Sequence, residues 1–173
     1  SVIHKQSQVV VRFLRNLFNG KKVFENPKDH EVLMRLIKYI TGPDDIILDS
    51  FAGSGSTGHA ILQANKETRG KRKFVLVEMD ESICQSVTRE RLYRAVNGYS
   101  YTAQKRTEKI AGLGGGFQYC FLGKSLFDSM GKIQETVSFI DLARFVFFKE
   151  TGMPLPEEVS GKSPLIGYFN STA

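Results

Sequence analysis

The feature that most constrains this chain is the run Asp49-Ser50-Phe51-Ala52-Gly53-Ser54-Gly55-Ser56-Thr57-Gly58, which directly follows the apolar triplet Ile46-Ile47-Leu48. An apolar run, an acid, a glycine-rich turn and then a helical pattern describe a nucleotide-type cofactor loop at the end of a buried parallel strand. Glycine lets the backbone approach a ligand closely, and the helix that follows presents free N–H groups. Twenty residues beyond Gly58 a second apolar run, Phe74-Val75-Leu76-Val77, ends in Glu78. A carboxylate at that place can accept hydrogen bonds from a ribose diol.

The turn satisfies G-x-G-x-x-G, which is also the dinucleotide fingerprint, with Glu78 at the expected distance. Two details separate the readings. Asp49 lies at the strand end, four residues before Gly53, where it faces a cationic or amino group more favourably than an anionic pyrophosphate. A sulfonium ligand with an amino-acid tail suits such an acidic mouth. The loop carries no G-K-[ST], which argues against a nucleoside triphosphatase. An NAD-dependent Rossmann oxidoreductase stays as the weaker alternative.

The spacing of apolar residues predicts a helix over 8–18, closed by Asn19-Gly20, and a second from Asp29 to Ile40, stopped by Gly42-Pro43. Strand one is expected at Ile46–Asp49 and a helix from about Ser56 to Asn65. Strand two follows at Phe74–Glu78, and then a long helix over Ser82–Val96. Residues 99–116 are polar and end in three glycines, so they read as a flexible connection. Phe117–Leu122 is a candidate third strand. Ser138-Phe139-Ile140-Asp141 has the form of a helix start, and that helix runs to Thr151-Gly152. The last twenty residues, with Pro154, Pro156 and Pro164, look irregular. Three segments result: a cofactor-binding subdomain over 1–98, the connection 99–116, and a C-terminal strand and helix extension over 117–173.

At 173 residues the length fits about one domain, and the net charge of +6 is compatible with a polyanionic partner such as nucleic acid. The basic segments Lys66–Lys73 and Arg89–Lys109 read, each alone, as solvated faces. Cys84 and Cys120 have no metal-ligand spacing and read as buried or half-buried free thiols of a reducing cytoplasm, with no metal site. No run is long enough to span a membrane, and no secretory signal is visible.

The run from Asp49 to Ala60 resembles the S-adenosylmethionine motif of the amino DNA methyltransferases, D-x-F-x-G-x-G-T-T. Phe24-Glu25-Asn26-Pro27-Lys28 resembles the segment that precedes this motif in the permuted β class. Arg72–Glu78, Thr88–Arg91, Gly116–Leu122 and the helix Phe139–Gly152 resemble the modification (Mod) subunits of type III restriction–modification systems. Ser56 stands where threonine is usual, and Asp29 where proline is common. The family's catalytic Pro-Pro-Tyr/Phe motif precedes the cofactor motif, and this chain contains no Pro-Pro pair.

The resemblance implies an α/β fold, a partial Rossmann-like S-adenosylmethionine-dependent methyltransferase fold with its catalytic half missing. Strand one of such a sheet is central, so one of its edges would lack a neighbour. The resemblance also implies S-adenosyl-L-methionine as cofactor. Glu78 would bind the ribose hydroxyls and the Gly53–Gly55 backbone would lie under the cofactor. Asp49 and Phe51 would border its methionyl end, and Asn26, Pro27 and Lys28 would close over it. Read from its residue type alone, Phe51 fits core packing equally well. Met79 fits either core packing or the adenine ring. The implied partners are double-stranded DNA, the missing N-terminal catalytic half, a second copy of the full subunit and a restriction nuclease/helicase subunit, in a bacterial cytoplasm. The chain alone is expected to be inactive; the alternative is a non-catalytic cofactor- or partner-binding fragment.

Overall fold

The computed structural model describes residues 7–103 and 106–155, and it divides after Tyr119 into two compact units. In the first unit the helices form where the apolar spacing places them. Helix α1 is Ser7–Leu17 and α2 is His30–Ile40, the latter capped by the Asp29 carboxylate, which accepts from the Glu31 N–H at 2.9 Å. Strand β1 is Ile46–Asp49, α3 is Ser56–Thr68, and β2 is Lys73–Leu76.

The strands are parallel, with Ile46 opposite Lys73 and Asp49 opposite Leu76. Beyond Leu76 the pairing hands over to the turn: the Val77 N–H donates to the Asp49 carbonyl and the Ala52 N–H to the Val77 carbonyl, both at 2.9 Å. The regular strand therefore stops two residues before Glu78.

The helical stretch expected over 82–96 is three pieces: α4 (Glu81–Ile83), a π-helical turn (Cys84–Thr88) and α5 (Arg89–Asn97). The Asp80 carboxylate caps its start by accepting from the Ile83 N–H. A π turn inserts one residue into the helix and re-aims the side chains that follow it.

Two expectations fail here. Residues 98–111 are no plain connection but an antiparallel hairpin, β3 (Gly98–Ala103) against β4 (Arg106–Ala111). Its pattern is hidden because every residue of β4 is exposed, so that strand has no apolar face to read. Phe117–Leu122 forms no strand: no ladder partner reaches it, and Phe117 instead packs beside Leu62, Leu92 and Ala95.

One face of the β1–β2 sheet carries the core. Ile47 and Phe74 pack on Met34, Ile37, Ala60, Ile61 and Ala64 of α2 and α3. Leu76 packs with Leu62, Leu92 and Ala95. A third cluster joins Leu14, Leu17 and Phe18 to Val87, with Phe24 and Tyr99 at its margin. The other face is bare: Ile46 is 66% exposed, Leu48 64% and Val75 50%. Among the described residues, β1 pairs with β2 alone, so its second edge is open.

In the second unit, Phe127 and Ile133 form an isolated antiparallel bridge around a turn held by the Asp128 carboxylate. Helix α6, Phe139–Thr151, starts as expected at Ser138, whose hydroxyl accepts from the Asp141 N–H and donates to the Asp141 carboxylate. Phe145 meets Phe127 edge-on at 5.4 Å. The irregular ending expected beyond residue 155 lies outside the described residues. No helix of the described residues is long and apolar enough to cross a membrane.

Candidate functional site

The carboxyl ends of β1 and β2 lie side by side, and the glycine turn leaves from between them. Asp49, the last residue of β1, accepts from the Phe51 N–H at 3.0 Å through one oxygen and from the Thr57 hydroxyl at 2.6 Å through the other. Glu78, two residues past β2, reaches the same turn, accepting from the Gly53 N–H at 2.8 Å and from the Asp80 N–H at 3.0 Å. A carboxylate has about four lone-pair positions, so each acid retains acceptor capacity. Asp49, Gly53, Gly55 and Glu78 are thus brought together.

Both glycines are demanded from within the protein. Gly53 has φ of +50°, and a Cβ there would sit 3.2 Å from the Phe24 ring. Gly55, in the left-handed region at φ +73°, caps α3, and its Cβ would meet the Thr88 side chain and backbone at 3.2 to 3.4 Å. Reading the glycines as room for a ligand alone therefore misses half of their reason.

Asn26 and Lys28 are exposed, whereas Pro27 is buried. The segment is tied to the turn through its backbone: the Ser56 hydroxyl donates to the Lys28 carbonyl at 2.8 Å. Phe51 is 80% exposed, which excludes the core-packing reading of it, and Met79 is 83% exposed, next to Glu78.

The turn also has a floor that residue types did not disclose. Arg91 of α5 is 0% exposed. Its Nη1 donates to the Ser56 hydroxyl at 2.7 Å, the Ser54 hydroxyl at 3.1 Å and the Ser54 carbonyl at 3.3 Å, and its Nε donates to His59 Nδ1 at 3.3 Å. Burial pushes Arg91 down to about 9, against the favourable influence of Tyr99 and Asp29, so it keeps its charge at neutral pH. His59 is held well below its ordinary value by burial, then by Arg91 and His30. Its ring lies 4.3 Å from that of His30, which stacks on Phe13 at 4.3 Å. One helical turn before Arg91, the Thr88 hydroxyl donates to the Gly53 carbonyl at 2.7 Å.

The basic segments are thereby partly spent inside the protein. Arg72 donates to Thr41 and Thr68, and Arg94 pairs with Glu90 at 2.6 Å and donates to the Leu17 carbonyl. Cys84 is half-buried and Cys120 exposed, the latter against expectation. Burial, then the nearby Glu78, raises the Cys84 thiol's pKa. Among the described residues no group of three or more acids, histidines or cysteines is placed to hold a metal ion.

The carboxyl ends of parallel strands are where open α/β sheets bind ligands. Two acids there, each with acceptor capacity left over, can hold a ligand carrying hydroxyl and cationic groups.

Residues 4–89 match the family described as DNA methylase. The Mod subunit of the type III restriction–modification enzyme StyLTI of Salmonella typhimurium is 41% identical over 64 residues, which are 37% of this chain and 10% of that protein. The EcoPI Mod subunit of Escherichia phage P1 is 41% identical over 70 residues, 40% of this chain and 11% of that protein. The type II methyltransferase M.KpnI of Klebsiella pneumoniae is 42% identical over 67 residues, 39% of this chain and 16% of that protein. The matches thus span 10 to 16% of the length of these relatives. The glycine turn, the acids beside it and the helix that floors it all fall within or next to the segment that matches the DNA methylase family.

Proposed function

We propose that this chain is the S-adenosylmethionine-binding part of a site-specific DNA methyltransferase acting on the exocyclic amine of adenine, of the type III modification kind. The observation that carries the reading is the pair of acids, Asp49 at the end of β1 and Glu78 two residues beyond the end of the parallel β2, with the Gly53 N–H bound to Glu78. The similarity to Mod subunits supports the reaction class.

The residues fit the cofactor. Its sulfonium and ammonium groups are cationic and its ribose carries two hydroxyls, and the acceptors on offer at the strand ends are carboxylates. Glu78 accepts the ribose hydroxyls through its unused lone pairs, already fixed in place by Gly53 and Asp80. Asp49 faces the methionyl end, held by Thr57. Phe51 and Met79, both exposed beside the turn, cover the bound cofactor, and Asn26, Pro27 and Lys28 close the entrance. The bound cofactor supplies an electrophilic methyl group. The protein's contribution is orientation and electrostatic positioning of that donor.

The base-holding motif is supplied from outside this chain, which has no Pro-Pro pair. The target adenine is flipped from double-stranded DNA into that other part. The fold is then a partial Rossmann-like sheet. Support comes from the open edge of β1 and the bare face of Ile46, Leu48 and Val75, since helices cover both faces of a complete parallel sheet. A second full subunit and a restriction subunit are the expected companions, in a bacterial cytoplasm.

Isothermal titration with S-adenosylmethionine and with NAD tests the proposal. Saturable uptake of the first and none of the second is expected; tight NAD binding without S-adenosylmethionine binding would sink it. Methylation of DNA by this chain unaided would overturn the assignment of the base-holding motif elsewhere.

A further inference from the structure

The two segments assigned to the methyl donor, Asn26–Lys28 and Gly53–Gly55, are distant in sequence and share no regular element. What joins them is a buried polar chain. The Arg91 guanidinium grips Ser54 and Ser56, and the Ser56 hydroxyl donates to the Lys28 carbonyl. The Ser54 and Ser56 hydroxyls lie 3.2 Å apart within the same grip. A fully buried guanidinium is a costly way to fill a core, since removing an ion from water costs several kcal/mol even after relaxation. Two of the acceptor contacts of Arg91 fall on Ser54 in the glycine turn, and the others on Ser56 and His59, in the first turn of α3.

We propose that Arg91 is a positioning residue of the donor site, which sets the glycine turn and the Asn26–Lys28 segment in register through Ser56. This rests on the reading of that turn as the methyl-donor site. All the contacts to Ser54 and Ser56 leave from Nη1, while Nε of the same planar group donates to His59, two directions that a single lysine ammonium does not span. Thr88, one turn earlier, holds the Gly53 carbonyl from the same helical stretch. The π turn at Cys84–Thr88 immediately precedes α5 and fixes the phase with which it presents Thr88 and Arg91 to the loop. Ser56, the site of a departure from the family pattern, is the joint of this device: its hydroxyl is the atom between Arg91 and Lys28.

The test compares Ser56→Ala, Ser56→Thr, Arg91→Lys and Arg91→Met in the full 173-residue chain. Amide exchange at Gly53 and Gly55 is measured beside Ile61 and Leu62 of α3, and S-adenosylmethionine affinity by calorimetry. Ser56→Ala is the variant least disruptive to packing. It should speed exchange at Gly53 and Gly55 by about ten-fold, as expected on losing a hydrogen bond to a charged group, while Ile61 and Leu62 stay unchanged. Affinity should fall by about the same factor, and Ser56→Thr should restore both to within about two-fold, because it returns the hydroxyl. Arg91→Lys should resemble Ser56→Ala, and Arg91→Met should be worse. Exchange that rises equally in the turn and in α3, or variants that bind like the wild type, would overturn the proposal and leave Arg91 a general core residue. If the wild-type chain takes up no S-adenosylmethionine while the selective exchange pattern holds, the functional reading fails and the positioning of the turn stands.

Discussion

On one face of the β1–β2 sheet, Ile47, Phe74 and Leu76 lie beneath α2, α3 and α5; on the other, Ile46, Leu48 and Val75 meet solvent. The two sets have the same chemistry and alternate along the same strands. They differ in what the chain supplies to cover them. Each exposed aliphatic side chain on the bare face forgoes roughly 1 to 2 kcal/mol relative to full burial. The carboxyl ends of the strands, in contrast, are finished: both acids are bonded to the turn, and the turn is braced from below. The difference teaches that the carboxyl end of this sheet is held in place by the chain's own contacts, while its second face and outer edge are left uncovered among the described residues.

Substitutions should separate the two faces. The largest effect is expected on the covered side. Ile61→Ala, at a fully buried position of α3, should cost about 2 to 5 kcal/mol in urea unfolding. A cost equal to that of a surface change would mean that α3 does not anchor the covered face.

Gly55→Ala comes next. The left-handed φ and the Thr88 contact together should cost about 1 to 3 kcal/mol and weaken S-adenosylmethionine binding. Unchanged binding and stability would show that the turn is not braced as described.

Below this lies a pH effect on the covered side. The folded His59 resists protonation that the unfolded chain accepts, so unfolded chains take up the extra proton as pH falls below about 6.5. Stability should be full above that pH and decline below it. The slope is at most about 1.4 kcal/mol per pH unit from this one group, continuing down to the folded pKa. The groups facing His59 are Arg91 and His30. In His59→Gln this part of the slope should vanish; if the slope persists, His59 is not its source.

The smallest effect belongs to the bare face. Leu48→Ser should change stability by no more than about 0.5 kcal/mol in a dilute monomer. The Leu48 amide should exchange quickly, because Leu48 borders an edge without a partner. Strong protection of Ile46–Leu48 in a dilute monomer would refute the open edge.

Much of the secondary structure is legible in the sequence. The Ile46–Leu48 run, the glycine turn and the caps at Asp29 and Ser138 state their structures through local chemistry: β-branched apolar residues, positive φ, and carboxylate or hydroxyl acceptors at helix starts. What escapes depends on partners remote in sequence. The β3–β4 hairpin has one wholly exposed strand, so only pairing defines it. The aromatic run at 117–122 looks like a strand but finds no ladder. Arg91, in a basic segment that reads as solvated, is the deepest charged group among the described residues, and nothing in a single sequence distinguishes it from the exposed arginine that base composition favours. In the candidate site, Asp49, Gly53, Gly55 and Glu78 could be named from spacing; Thr88, Ser54 and Ser56 acquire their roles only once α5 is folded beneath the turn.

The most direct test of the proposed ligand end is a titration of the isotope-labelled chain with S-adenosylmethionine, followed amide by amide. Saturable shifts should concentrate at Phe51, Gly53, Gly55, Glu78 and Met79 and leave Ile46 and Val75 unmoved. Shifts that concentrate on the bare face instead, or a response to NAD with none to S-adenosylmethionine, would contradict the assignment of the glycine turn to a methyl donor.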